Sequence, residues 1–336
     1  MGGATRRMRV SVIATVKNES GSVAKLLESL CAQTRQPDEV VIVDGGSTDD
    51  TLQQVQAWEQ RLPLRILAEP GCNISRGRNI AISAAQGPII ASTDAGVRAE
   101  PSWLANLTLP FAAAGDGEIP PVVACGFFVP DTITAFETAM GATVLPALAD
   151  VKPERFLPSS RSVAFTKKAW EAVGGYPEWL DYCEDLILDL RLQTRGYRFV
   201  FVPEAMVHFR PRSSLKAFVK QYYRYARGDG KADLWRKRHA ARYLTYLVAL
   251  PALLALAIRY SALWIVPLLL GAAVMFWTPY KRLFPALKTL DRRERLTAVL
   301  WVPLIRVTGD IAKMLGYPAG LYWRWRHQQE IPDWRE

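Results

Sequence analysis

The chain lacks most of the motifs that announce a chemistry at once. Its four cysteines, Cys31, Cys72, Cys125 and Cys183, form no CxxC pair, and their spacing suits neither zinc nor a disulfide framework. They read as small buried hydrophobes in a reducing compartment. No GxGxxG follows a strand pattern, which removes the best support for a dinucleotide-binding dehydrogenase; GxxxxGK(S/T), GxSxG and HExxH are absent too. Charge is missing over one long stretch, because between Tyr243 and Thr278 only Arg259 is ionised. A purely soluble protein does not fit that gap.

What is present is a chain of 336 residues, half of them hydrophobic, enough for one large or two ordinary domains. That excludes a disordered acidic chain, a collagen and a small disulfide scaffold. The formal charge of +10 is concentrated: residues 205–242 carry eleven Lys or Arg against Asp229 and Asp233 alone. Standing directly before the apolar block, this stretch fits cytoplasmic juxtamembrane sequence, attracted to anionic lipid by about 1 kcal/mol per basic residue. Nucleic-acid binding is the competing reading of such a stretch, and no nucleic-acid partner is expected.

Two apolar segments follow, 243–258 and 260–278, at the short end of the ~17–25 residues that span a bilayer. Pro251 and Pro267 are tolerable kinks there; a buried soluble hairpin is the alternative. A third segment, 296–323, carries Arg306, Asp310 and Lys313 and suits an interfacial helix better than a span. The apolar run 10–16 is too short for a secretory signal and is followed at once by Lys17-Asn18-Glu19. The expectation is a catalytic domain over 1–235 facing the cytoplasm and a membrane region over 236–336, at the inner membrane.

The first 130 residues alternate strand and helix patterns. Strands are predicted at 10–15, 39–43, 64–67 and 88–93. Between them come a helix capped by Ser22, one capped by Asp49 and one over 75–85. Such alternation implies an α/β fold with a mostly parallel sheet, whose ligands bind beyond the carboxyl ends of the strands. Later elements are a strand at 122–127, helices at 167–173 and 184–195, and a strand at 199–202.

Carboxylates at strand ends carry the chemistry. Asp44 closes an apolar strand and precedes Gly45-Gly46, so a ligand can approach the backbone while the acid accepts from a ribose hydroxyl or a base N–H; a solvated cap is the plainer reading. Asp94, in Ser92-Thr93-Asp94-Ala95-Gly96, repeats that geometry and can hold Mg²⁺ or Mn²⁺ gripping a diphosphate. Glu184-Asp185 at a helix start is either simple capping or a general base for an acceptor hydroxyl. Arg78-Asn79, Arg161 and residues 221–227 are phosphate-binding donors or ordinary basic surface.

In this order, residues 12–19, 41–51, 76–96, 162–178, Glu184-Asp185 and 221–225 resemble the family 2 glycosyltransferases with the GT-A fold, over about the first 230 residues. The resemblance implies a nucleotide-diphosphate-sugar donor held by Glu19, Asp44, Arg78, Asp94, Gln221 and Arg224. It implies a lipid-linked or membrane-proximal acceptor and a base at Asp185 with Glu184 beside it. Asp94 matches the first aspartate of the family's DxD metal motif, whereas Gly96 stands where the second would be. His208 is then a further candidate ligand for the divalent cation. Gln221-Tyr222-Tyr223-Arg224-Tyr225 resembles the QxxRW motif of membrane polysaccharide synthases, with Tyr225 in place of Trp. That departure, and two expected spans, speak against a processive synthase. A nucleotidyltransferase, or an inactive membrane-tethered binding protein of the same fold, is the competing function.

Overall fold

A computed structural model describes residues 8–112, 120, 122–331 and 333–335. The chain forms two compact units: Met1–Val129 with Leu148–Phe209 and Asp333–Glu336, and Pro130–Ala147 with Arg210–Pro332. The basic helix that the sequence reading placed with the catalytic domain thus belongs to the second unit.

In the first unit the chain runs β1 (Val10–Val16), α1 (Val23–Cys31), β2 (Glu39–Asp44), α2 (Thr51–Gln56), β3 (Leu64–Ala68), α3 (Ile74–Ala84), β4 (Ile89–Ser92), β5 (Val97–Ala99), α4 (Trp103–Thr108) and β6 (Val122–Pro130), whose last residue enters the second unit. α5 (Ala135–Val144) belongs to the second unit, and the first resumes with β7 (Val163–Thr166), α6 (Lys167–Ala172), α7 (Glu184–Thr194) and β8 (Arg198–Phe209). The sheet order is β3-β2-β1-β4-β7-β6-β8-β5. β3, β2, β1 and β4 are parallel as expected, but β7 runs antiparallel to both β4 and β6, and β5 antiparallel to β8. The sheet is therefore mixed rather than mostly parallel.

Strand periodicity explains why β1 and β2 are apolar on both faces. Val10, Val12, Ala14 and Val16 join a core with Leu26, Leu27 and Leu30 of α1 and Trp103, Leu104 and Leu107 of α4. Ile13, Val41 and Val43 point the other way, against Ala81 and Ile82 of α3 and Leu188 and Leu192 of α7. Sheet faces covered on both sides leave only the strand ends for a ligand.

The second unit is helical: α5, α8 (Leu215–Lys231), α9 (Arg236–Tyr243), α10 (Leu250–Arg259), α11 (Ile265–Ala286) and α12 (Arg292–Arg326). Its core joins Phe136 and Met140 of α5, Phe218 and Tyr222 of α8, and Ala298, Val302, Ile305 and Ala312 of α12. α12 meets α8 backbone to backbone: a Cβ on Gly316 would lie 2.1 Å from the Tyr223 carbonyl oxygen, and one on Gly320 2.2 Å from that of Arg227. The opposite stripe of α12, Leu296, Leu300, Leu304, Ile311 and Leu315, is exposed. Two helical stretches, Arg236–Arg259 and Ala262–Thr289, are long and apolar enough to cross a membrane. They overrun the expected 243–258 and 260–278 at nearly every end, because polar turns continue the same helices.

Candidate active site

The carboxyl ends of β1 and β2 lie side by side, with Val16 in register with Asp44. Beyond β1 the chain turns through Asn18, whose φ of 55° is the left-handed conformation that asparagine tolerates best after glycine. That turn laces onto the loop after β2. The Asn18 amide donates to Ser47 Oγ (3.0 Å), the Thr48 amide to Asn18 Oδ1 (2.8 Å), and the Glu19 amide to Thr51 Oγ1 (2.7 Å). Asp44, only 4% exposed, accepts from the Ser47 amide at 3.1 Å and from Ser47 Oγ at 2.5 Å. Gly46 has φ +87°, and a Cβ there would sit 3.1 Å from Pro70 Cα, so no other residue fits this turn without strain.

Two expected caps are not made. Ser22 gives its hydroxyl to the Glu19 carboxylate instead of capping α1. The N-cap of α2 is Asp50, not Asp49, and Asp49 instead accepts from the Thr51 amide and hydroxyl. Asp49 also accepts from the Ser20 amide at 3.3 Å and so ties the two loops together, while Ser22 holds Glu19 within its own loop at the end of β1.

Arg78 organises the remaining acids. It sits on the buried face of α3 with Ser75, Ala81 and Ile82 and is 2% exposed. Its Nη2 donates to Asp94 Oδ1 at 2.8 Å and its Nη1 to Glu184 Oε1 at 2.6 Å. Its guanidinium lies 5.3 Å from the Tyr176 ring centre. Arg161 adds a second cation, 3.5 Å from Asp94 Oδ2. Burial alone would raise the Asp94 pKa, but Arg78 and Arg161 outweigh it and hold the carboxyl below its ordinary range. For Glu184 the balance is reversed: burial, then the adjacent Asp185, push it up to about 7 against the pull of Arg78. The sequence reading assigned Arg78 to the donor; here its fork is taken by Asp94 and Glu184.

Asp185 is half-buried in the first turn of α7 and accepts from the Leu186 amide at 2.8 Å. Its carboxylate forms no ion pair among the described residues. Cys183, just before this pair, has φ 66°, strain of about 1–3 kcal/mol in a non-glycine residue and a usual companion of functional turns. Asp189, one turn further on, escaped the sequence reading. It is buried, its Oδ2 has no hydrogen-bond partner, and burial together with Asp185 raises its pKa well above normal. Tyr176 was missed as well; its hydroxyl meets Ser160 Oγ at 2.9 Å and its ring supports Arg78. The i, i+4 step from Asp185 to Asp189 was a usable signal, whereas nothing in the local pattern marks Tyr176.

The metal-binding capacity of the site is limited. Among the described residues no three His, Cys, Asp or Glu side chains gather around a common point. His208 lies within β8, opposite Arg98 of β5, and its Nε2 meets Glu100 Oε1 at 2.5 Å. Asp94, with a side chain 27% exposed, is the available carboxylate. This set fits Mg²⁺ or Mn²⁺ shared between one carboxylate, water and a substrate diphosphate, and does not fit a cage built by the protein alone.

Gln221 and Arg224 lie on α8 in the second unit. Gln221 Nε2 donates to the Tyr225 hydroxyl at 2.7 Å, so the residue that departs from QxxRW supplies an acceptor that tryptophan lacks.

Residues 11–132 match the family model for glycosyl transferase family 2, and residues 140–287 that for glycosyl transferase family group 2. The chain is 32% identical over 131 residues to validoxylamine A glucosyltransferase of Streptomyces hygroscopicus subsp. limoneus, covering 38% of this chain and 28% of that protein. It is 26% identical over 230 residues to the succinoglycan biosynthesis protein ExoA of Rhizobium meliloti (strain 1021), covering 64% of this chain and 67% of the relative. Its fold matches that of the mannosyltransferase PcManGT from Pyrobaculum calidifontis, solved in complex with GDP-Man and Mn²⁺. The TM-score is 0.59 at 20% identity, over 92% of this chain and 88% of that one.

Proposed function

The chain belongs to glycosyl transferase family 2, and on that premise we propose that it is an inverting transferase working at the cytoplasmic face of the membrane. It moves a sugar from a nucleotide-diphosphate donor to a hydroxyl of a lipid-linked or membrane-proximal acceptor, in cell-envelope glycan or glycolipid synthesis. The observation that carries the reading is the division of the acids by Arg78. Asp94 and Glu184 are tied to one buried guanidinium, and Asp185 beside them is not.

Direct displacement at the anomeric carbon needs a base on the acceptor and a stabilised leaving diphosphate. Asp185 takes the proton of the acceptor hydroxyl as its oxygen attacks, and the sugar–phosphate bond breaks on the opposite side. Glu184, anchored by Arg78, keeps the first turn of α7 in place. Asp44 and Glu19 receive the nucleoside at the ends of β2 and β1. When bound, a divalent cation supplies positive charge to the departing diphosphate, and Asp94 is the protein carboxylate that would hold it. One base suffices, because this charge does the work that an acid does in a glycosidase.

Membrane placement rests on the two apolar helices and the exposed stripe of α12. The test is product identity: purified enzyme with nucleotide-sugar and membrane lipid should release nucleoside diphosphate in step with lipid glycosylation. Release of sugar 1-phosphate from the same donor, with the nucleotidyl group transferred, would make it a nucleotidyltransferase.

A further inference from the structure

The second unit contains a charged cluster that sugar transfer does not use. Asp310 of α12 accepts from Arg242 Nε at 2.9 Å and from the Tyr246 hydroxyl at 3.2 Å, and Arg306 Nε lies 3.7 Å away. Arg242 Nη1 also stands 3.1 Å from His239 Nδ1, while His239 Nε2 faces Asp229 Oδ2 at 3.1 Å. Lys313 completes the group, one turn after Asp310.

The charges in this cluster do not balance. Asp310 and Asp229 are two carboxylates set against Arg242, Arg306 and Lys313, with His239 between Asp229 and Arg242. Arg306 Nε is buried without a hydrogen-bond acceptor. The Lys313 ammonium rests 5.0 Å from the Tyr222 ring centre and has neither a hydrogen bond nor an ion pair among the described residues. Burial pushes its pKa down from 10.5 to about 8, with Arg242 and Arg306 adding to it against the opposing pull of Asp310 and, less, of Asp229. A cation withdrawn from water beside two guanidiniums is costly unless an anion joins it. On the same helix Leu304, Ile311 and Leu315 are exposed at 45%, 46% and 62%, an apolar track beside the charged group.

We propose that Arg242, Arg306 and Lys313 form a binding site for the phosphate head group of an anionic lipid, whose acyl chains lie along the exposed apolar stripe of α12. The proposal rests on the membrane placement of the second unit, and is independent of which sugar is transferred. The anion neutralises Lys313 and gives Arg306 Nε its acceptor, so lipid and α12 stabilise each other at the bilayer surface.

The test uses the full chain in detergent, with thermal midpoint and lipid retention measured against phosphatidylglycerol, phosphatidylcholine and inorganic pyrophosphate. Wild type should retain phosphatidylglycerol about tenfold more strongly than phosphatidylcholine. Lys313→Met should erase most of that preference and raise the lipid-free midpoint, because it removes a desolvated charge. Arg306→Gln should weaken the preference, and Lys168→Met, on the exposed surface of the first unit, should change nothing. Unchanged preference in Lys313→Met, or a lowered lipid-free midpoint, would overturn the site and make Lys313 a structural group. Full protection by pyrophosphate at equal concentration would overturn the lipid as its occupant. Equal binding of both lipids would refute the head-group site while keeping membrane placement, and indifference to both would refute the placement itself.

Discussion

Arg78 in the first unit and Lys313 in the second are both drawn away from water, but their company differs. Arg78 meets Asp94 and Glu184 within 2.8 Å, whereas Lys313 meets no carboxylate at hydrogen-bond distance. The first arrangement is complete in the protein alone, so it fixes geometry. It pins a strand end to a helix start and leaves Asp185 as the acid not held by the clamp. The second is incomplete, and it gains stability only when something else binds. A buried charge with its partners marks a scaffold of the site, and one without them marks a place for a ligand.

The largest effect is expected at Asp185. Asp185→Asn preserves shape but accepts no proton, so turnover should fall about 10²–10⁴-fold while donor binding, read by calorimetry, stays within a few fold. Next in size is Arg78→Met, which leaves Asp94 and Glu184 buried without their cation. Removing one partner of a buried pair costs about 3–5 kcal/mol, and denaturant unfolding should show a loss of that order. The opposite sign is expected for Lys313→Met.

A smaller effect concerns pH. Glu184 has a folded pKa of about 7 against 4.5 for the free group, so its contribution to stability is present below pH 4.5 and is lost as pH rises through 7. Asp94, held low, acts the other way: its contribution is present at neutral pH and fades only in acid below its ordinary range. Glu184→Gln should therefore flatten the fall in stability between about pH 5 and 7 without touching the acid limb, as followed by thermal midpoints. The gentlest probe is topological. Single cysteines at Thr289 and Gln329, in a cysteine-free background, should label from the same side of oriented vesicles. A third crossing would bury Arg306, Asp310 and Lys313 at about 2.5–3.5 kcal/mol each, and labelling from opposite sides would show that it happens.

Legibility in the sequence followed the same division between local and distant partners. The parallel half of the sheet was readable, because each strand there is a short apolar run bounded by turn residues, and Asp44 and Asp94 then fall at ligand-facing ends. The antiparallel half was not, since no periodicity says that β7 inserts beside β4. β8 was underestimated at 199–202 because Pro203 and Glu204 interrupt the apolar run, and the strand in fact continues to Phe209. That extension puts His208 inside a strand, paired with Glu100, rather than after it. The acids of the site were visible as residue types, but the guanidinium joining Asp94 to Glu184 was not. Its one trace was an arginine on the otherwise small and apolar stripe of α3.

With Asp94 and Glu184 held by Arg78 and Asp189 buried, Asp185 as the proposed base makes a definite prediction for the stereochemistry of the reaction. If no second carboxylate forms a glycosyl-enzyme, displacement is single and the anomeric centre is expected to invert. NMR of the product formed from a donor of known anomeric configuration measures this directly. The expected product is the opposite anomer from that of the donor; retention would contradict this, because Asp94, Glu184 or Asp189 would then have to act as a nucleophile.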